Sequence, residues 1–411
     1  MPNPNNPLAP GLNGAAPKGP RTIWNNPVFS AVLAIIMGFA MWIIVTVYID
    51  PQGSTTVTGV PINYTSGAST YTAQGLDIVE KPDIEGVTVT ILYLHGGILM
   101  KIAIVGTGYV GLVTGTCLAE IDAGNIICVD IDDIKINNLK KGISPIYENR
   151  LEELINKNYK KGNLDFTTDY KYAYKDADVI ILAVGTPERD DGSANLEYLF
   201  DACDKIASTI NKDTLVVVKS TVPIGTCNSI EKYINEKLNN NISVEVASNP
   251  EFLSQGTAVE DTLNASRIII GVKSKYAEEI LRKIYKPFNI PIVCVNRESS
   301  EMIKYASNNF LALKISYIND IANLCEKVGA NIDDVVKGMK FDIRIGDKFF
   351  NAGIGYGGSC FPKDTKALHW LSTYNGYELK TVKAAIEVNE AQKLKLVRKA
   401  SNIVDSFEGM E

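Results

Sequence analysis

The pattern of apolar and polar positions changes character twice along this 411-residue chain. Residues 1–22 are rich in Pro, Asn and Gly, carry no apolar period and are expected to be disordered. Residues 28–49 are apolar almost throughout and uncharged, flanked by Trp24 and holding Trp42. At about 1.5 Å per residue such a run can cross a bilayer core of roughly 30 Å, which predicts a membrane helix over 23–49. Lys18 and Arg21 precede it and Asp50 succeeds it, so the positive-inside rule places the N-terminus in the cytoplasm and the chain beyond residue 50 outside. Alternation in Thr55-Thr56-Val57-Thr58, Val60-Pro61-Ile62-Asn63-Tyr64 and Val87-Thr88-Val89-Thr90-Ile91 then predicts strands of a small β module over 50–99.

The second change falls at Met100. Lys101-Ile102-Ala103-Ile104-Val105 reads as a buried strand, and strand-like runs recur at 126–129, 179–184, 215–219, 244–247, 267–271 and 291–295. Helical or polar stretches separate them, which predicts an α/β fold with a doubly wound, Rossmann-type parallel sheet over 100–295. From 299 to 328 apolar residues keep helical spacing without Pro or Gly. One long helix is expected there, opening a helical domain over 296–401, with 402–411 as a cut-off end.

Composition narrows the chemistry. The net charge of −6, with no basic patch, argues against nucleic acid. Seven cysteines, an odd number without metal-ligand spacing, read as reduced thiols and no metal site. The only histidines are His95 and His369, so proton transfer falls to carboxylates, lysine or water.

Three features carry candidate chemistry. Gly106-Thr107-Gly108-Tyr109-Val110-Gly111 follows a strand and precedes a helical pattern, and Asp130 ends the next strand. In a dinucleotide fingerprint Gly106 makes the turn, Gly108 admits the pyrophosphate, Gly111 lets helix and strand pack, and Asp130 takes the ribose hydroxyls, which suits NAD. Polar turns Gly185-Thr186-Pro187, Ser220-Thr221-Val222-Pro223 and Ser248-Asn249-Pro250-Glu251 end three further strands. Each alone reads as turn chemistry; three at the carboxyl ends of one sheet point to a site. Last, Gly357-Gly358-Ser359-Cys360-Phe361-Pro362-Lys363-Asp364 puts a thiol at the mouth of a helix, where unpaired N–H groups favour a thiolate. A cysteine is more often packed as a small hydrophobe, but the glycines, Lys363 and Asp364 reverse that order here. Lys304 and Asn308, four apart on the long helix, share a face.

These motifs resemble the UDP-glucose 6-dehydrogenase family from Met100 to about Ser401, in order and spacing. The resemblance implies oxidation of UDP-glucose to UDP-glucuronate by two NAD-dependent hydride transfers. Cys360 would form a thiohemiacetal and then a thioester, Lys304 and Asn308 would stabilise the oxyanion, and Asp364 with a water would handle protons. Glu251 and Thr186 would position water. It also implies cofactor contacts from Tyr109, Val110, Lys135, Thr186, Thr221 and Lys363. Substrate contacts would come from Glu251, Phe252, Leu253, Lys304, Asn308, Phe349, Tyr356, Gly357 and Arg344, the last in its own or a neighbouring subunit. A homodimer through the 299–328 helix is implied as well.

Three departures stand out. Gln255 replaces a frequent Glu, Asn149-Arg150 replace a frequent Pro-Gly, and the chain stops at Glu411 where a further UDP-binding domain is expected. Residues 21–91 resemble the start of a YbbR-like membrane protein. An outward-facing anchor and a cytoplasmic NAD enzyme conflict, so a junction near Met100 between segments of different origin is expected. The alternatives are an anchored binding protein with a passive Rossmann region, or a dehydrogenase of another nucleotide sugar.

Overall fold

The computed structural model describes residues 55–60, 87–91, 100–238 and 241–403. The expected disordered lead, the membrane helix at 23–49 and most of the β module lie outside them. Among the described residues no helix is long and apolar enough to cross a membrane. The chain divides into two units, the first ending at Ile98 and the second beginning at Leu99. In the first, strands β1 (Thr55–Val60) and β2 (Val87–Ile91) pair antiparallel, with a register shift between Val57 and Val60. Both were expected as strands.

The second unit is built on eight strands: β3 (Lys101–Val105), β4 (Asn125–Val129), β5 (Leu164–Thr167), β6 (Val179–Leu182), β7 (Thr214–Val218), β8 (Val244–Ser248), β9 (Ile268–Gly271) and β10 (Ile292–Val295). Their order across the sheet is β5-β4-β3-β6-β7-β8-β9-β10. The first six are parallel. The expectation of a wholly parallel sheet needs one correction: β9 meets β8 antiparallel, at Ser248 and Gly271, and β10 pairs parallel with β9. β5 went unpredicted, because four residues with Asp165 among them give too short an alternation.

Helices cover both faces, so the central strands are buried along their length, as the unbroken apolar runs of β6 and β7 require. Ile102 and Ile104 of β3 enter the core on one face, Ala103 and Val105 that on the other. Between β3 and β6 the strand order reverses, opening the crevice where doubly wound sheets bind ligands.

The long helix runs from Arg297 to Val328 (α9, counting helices from α1, Tyr109–Glu120), two residues earlier than its periodicity indicated. Asn296 caps it by accepting from the Ser299 N–H at 2.8 Å, and Gly329 at φ 76° ends it. It packs against the helices Phe361–Tyr374 (α11) and Lys380–Ser401 (α12) around Tyr305, Ala367, Leu368 and Val382.

Candidate active site

The glycine-rich turn after β3 shows why its residues are what they are. Gly106 has φ +94°, and a Cβ on it would meet the Ala183 carbonyl oxygen at 2.8 Å. One on Gly111 would lie 1.9 Å from the Gly106 oxygen, so strand, turn and helix pack only with glycine at both. Gly108 differs: a Cβ there meets nothing within 4 Å, and it is the N-cap of α1 without a side-chain cap. Open space before uncapped helical N–H groups fits a pyrophosphate. Asp130, at the end of β4, accepts from the Thr107 N–H and hydroxyl at 2.7 Å each, and Lys135 lies 3.2 Å away. Burial alone would raise the Asp130 carboxyl; these donors outweigh it and hold the group below its ordinary value. Gly106, Gly108, Asp130 and Lys135 line one cavity of about 300 Å³ with Tyr198 and Gly185. Tyr109 points elsewhere, its hydroxyl donating to buried Glu148, which also accepts from the Ala258 N–H at 3.0 Å.

A second cavity of about 680 Å³ adjoins the first, sharing Ala183, Val184, Gly185 and Tyr198. Its wall brings together Thr186, Thr221, Glu251, Cys360, Lys363, Asp364 and Val110. All three polar turns therefore meet the cysteine in one place. Cys360 is exposed at the N-cap of α11, with Pro362 in the first turn and its carbonyl accepting from the Asp364 N–H at 2.8 Å. Its six companion cysteines among the described residues, Cys294 apart, are buried.

Behind this wall lies a buried polar network. Asp364, 1% exposed, accepts from Asn308 and from Lys363, each at 2.6 Å. Lys304 donates to the Glu251 carboxylate at 2.8 Å and to its backbone oxygen at 2.6 Å. Burial would raise Glu251, but the Lys304 charge and the Leu253 N–H leave it below its ordinary value. An ammonium has three N–H donors and an amide nitrogen two, so one donor of Lys304 and one of Asn308 are left uncommitted by these bonds. Thr186 donates to the Thr221 carbonyl at 2.8 Å, linking two of the turns.

Lys219 was not among the functional residues expected from the sequence. It is buried, donates to the Asn249 side chain at 3.0 Å, and burial pushes its amine down to about 8 against the pull of Glu251. With Glu251 it lines both the second cavity and a third one of about 320 Å³. Its signal was present, a lysine ending the apolar run of β7.

Other expected residues lie further off. Phe252 and Leu253 line the third cavity, Phe252 beneath Arg267 at 4.2 Å. Phe349 and Tyr356 pack on the Phe361 ring at 6.2 and 6.0 Å, and Gly357 precedes the cavity-lining Gly358. Arg344 is 86% exposed and paired with Asp342 at 2.6 Å, outside all three cavities.

Residues 100–289 match the NAD binding domain of the UDP-glucose/GDP-mannose dehydrogenase family, and residues 298–391 match its central domain. UDP-glucose 6-dehydrogenase YwqF of Bacillus subtilis is 50% identical over 310 residues, covering 75% of this chain and 70% of that protein. The chain belongs to the UDP-glucose/GDP-mannose dehydrogenase family. A UDP-glucose 6-dehydrogenase of Rickettsia felis is 46% identical over 309 residues, 74% of this chain and 68% of the relative. The solved UDP-glucose dehydrogenase of the archaeon Pyrobaculum islandicum superposes with a TM-score of 0.71 at 35% identity, covering 75% of this chain and 72% of that one. The family's NAD binding domain thus takes in the glycine turn and seven of the eight strands, β3 to β9.

Proposed function

We propose that this chain oxidises UDP-glucose to UDP-glucuronate through a covalent intermediate on Cys360. The carrying observation is the cavity that sets Cys360, Asp364, Glu251 and Thr186 beside the cofactor groove. The relatives' names supply the sugar. NAD, held by Gly106, Gly108, Asp130 and Lys135, supplies the hydride acceptor for each oxidation.

The chain's own residues do the rest. Loss of hydride from C6, with the hydroxyl proton passing through water to Asp364, makes the C6 aldehyde; the Cys360 thiolate adds to it, forming a C–S bond and an alkoxide that the free donors of Lys304 and Asn308 receive. Loss of hydride from that carbon leaves a thioester. Water, oriented by Glu251 and Thr186, adds to the thioester carbon and loses one proton, and the C–S bond breaks to restore the thiolate and release the carboxylic acid, which gives its remaining proton to solvent as the carboxylate. Asp364, fixed from both sides by Asn308 and Lys363, takes the proton through water.

Residues 100–295 form the NAD domain in this reading and 296–401 the helical central domain. Phe310, Tyr317, Leu324 and Val328, all exposed, recur along α9 at seven- and four-residue spacing. That stripe supports a homodimer through α9, in which Arg344 would serve the partner's site. The apolar run at 28–49 supports a membrane anchor, tested by protease accessibility in intact cells.

The decisive measurement is UDP-glucose-dependent NADH formation by the full chain and by Cys360→Ser. Two NADH per sugar are expected from the parent chain, with Cys360→Ser stopping after the first oxidation. No NADH from the parent, or two per sugar from the variant, would overturn the reading.

A further inference from the structure

The helix Thr226–Lys237 (α6) begins without a cap of its own. Its N-cap is Gly225, at φ +91°, and its first turn holds no acidic residue. Its leading N–H groups are instead satisfied from far along the chain: Glu301 of α9 accepts from Gly225 N–H at 2.6 Å and from Cys227 N–H at 2.8 Å. Glu301 is 3% exposed, and burial raises its carboxyl despite these bonds. One turn earlier on α9, buried Arg297 donates to Asn228 at 3.0 Å and pairs with Glu231, so α9 grips α6 at two levels.

What this grip joins is specific. The segment leading into α6 carries Lys219, Ser220 and Thr221, which line the catalytic cavity. On α9, Glu301, Lys304 and Asn308 fall at i, i+3 and i+7, one helical face, and all three are buried. A single face thus delivers both the groups proposed to hold the oxyanion and the carboxylate that anchors the opposite loop.

We propose that Glu301 is a positioning residue that fixes the cofactor-side loop 219–225 against the reacting side chains of α9. This rests on the function proposed above for the site, while its anchoring part does not require the sugar to be glucose. An uncapped helix alone would lose stability; a displaced loop loses rate, and misplacement of about 1 Å can cost on the order of 100-fold.

The test uses the full chain, Glu301→Gln, and Glu301→Gln combined with Ser229→Asp. Ser229 is exposed in the first turn of α6, its hydroxyl donating to the Gly225 carbonyl at 3.2 Å, and an added carboxylate there stabilises the helix from its own side. Glu301→Gln is expected to lower kcat about tenfold or more, and the double variant to recover Tm but not kcat. Recovery of kcat along with Tm, or an unchanged kcat in Glu301→Gln, would overturn the proposal. If the parent chain makes no NADH with UDP-glucose, the proposed function fails and NAD titration decides. A Kd raised about tenfold in the double variant supports the anchoring role, and an unchanged Kd overturns it.

Discussion

Lys304 and Glu251 form a buried ion pair at 2.8 Å, reaching from the first turns of α9 to the end of β8. Removing one partner leaves an uncompensated buried charge, which typically costs about 3–5 kcal/mol. Lys304→Met is therefore expected to lose both activity and stability, read from urea midpoints, whereas Lys304→Met combined with Glu251→Leu should recover much of the stability and none of the activity. The depressed Glu251 carboxyl sets the sign of the pH dependence. Its stabilising contribution is complete above the unfolded value of 4.5 and is lost as pH falls through the folded one. Acid titration of stability should therefore be steeper in the parent than in Glu251→Gln.

Lys219 gives the same sign of pH dependence, but as a buried cation that costs stability while it stays charged. Its amine is pushed from 10.5 to about 8 in the fold, so between those values the unfolded chain binds more protons and the group's contribution to stability rises with pH. Lys219→Met, which avoids burying the charge, should be the more stable protein at pH 7, with the gap closing as pH rises from 8 to 10.5. A gap independent of pH would exclude this account of the buried amine.

Two glycines of the turn after β3 should respond differently to alanine. Gly111→Ala pushes a methyl into the Gly106 carbonyl and is expected to unfold the turn, lowering Tm and abolishing NAD binding together. Gly108→Ala has open space and should keep the parent Tm. It should still weaken NAD by about tenfold or more, because the methyl takes the room required by the pyrophosphate. NAD titration alongside thermal melts separates the two.

Arg150, where the resemblance leads to an expected glycine, adopts φ +65°, the left-handed region, at the N-cap of the helix Leu151–Lys161. An L side chain there costs roughly 1–2 kcal/mol, so Arg150→Gly should raise the urea midpoint, offset in part by greater freedom of the unfolded chain.

The central strands and the long helix were legible because each is a single period over enough residues. Lys101–Val105 and Arg297–Val328 needed no knowledge of their neighbours. The reversal at β9 was not legible, since Ile268–Gly271 has the same apolar composition whichever way it runs and only its pairing with β8 fixes direction. In the site, Cys360 and the glycine turn announced themselves through local rules of turns and helix ends. The roles of Glu301, Glu148 and Lys219 could not, because each depends on a partner 30 to 110 residues distant. A buried carboxylate looks in sequence like a solvated one.

The cavity draws its walls from Thr186, Thr221, Glu251 and Cys360, while the sheet that frames it is complete at Val295. During synthesis the nucleotide groove can therefore close while Cys360, the proposed nucleophile, is still unmade, since it comes after the last strand by a long helix, the short helix Ile332–Lys340 and a loop. Refolding should show the same order, with NAD affinity regained before the thiol becomes reactive toward substrate. A cell would then hold, for a time, a chain that binds its cofactor and cannot yet do chemistry with it.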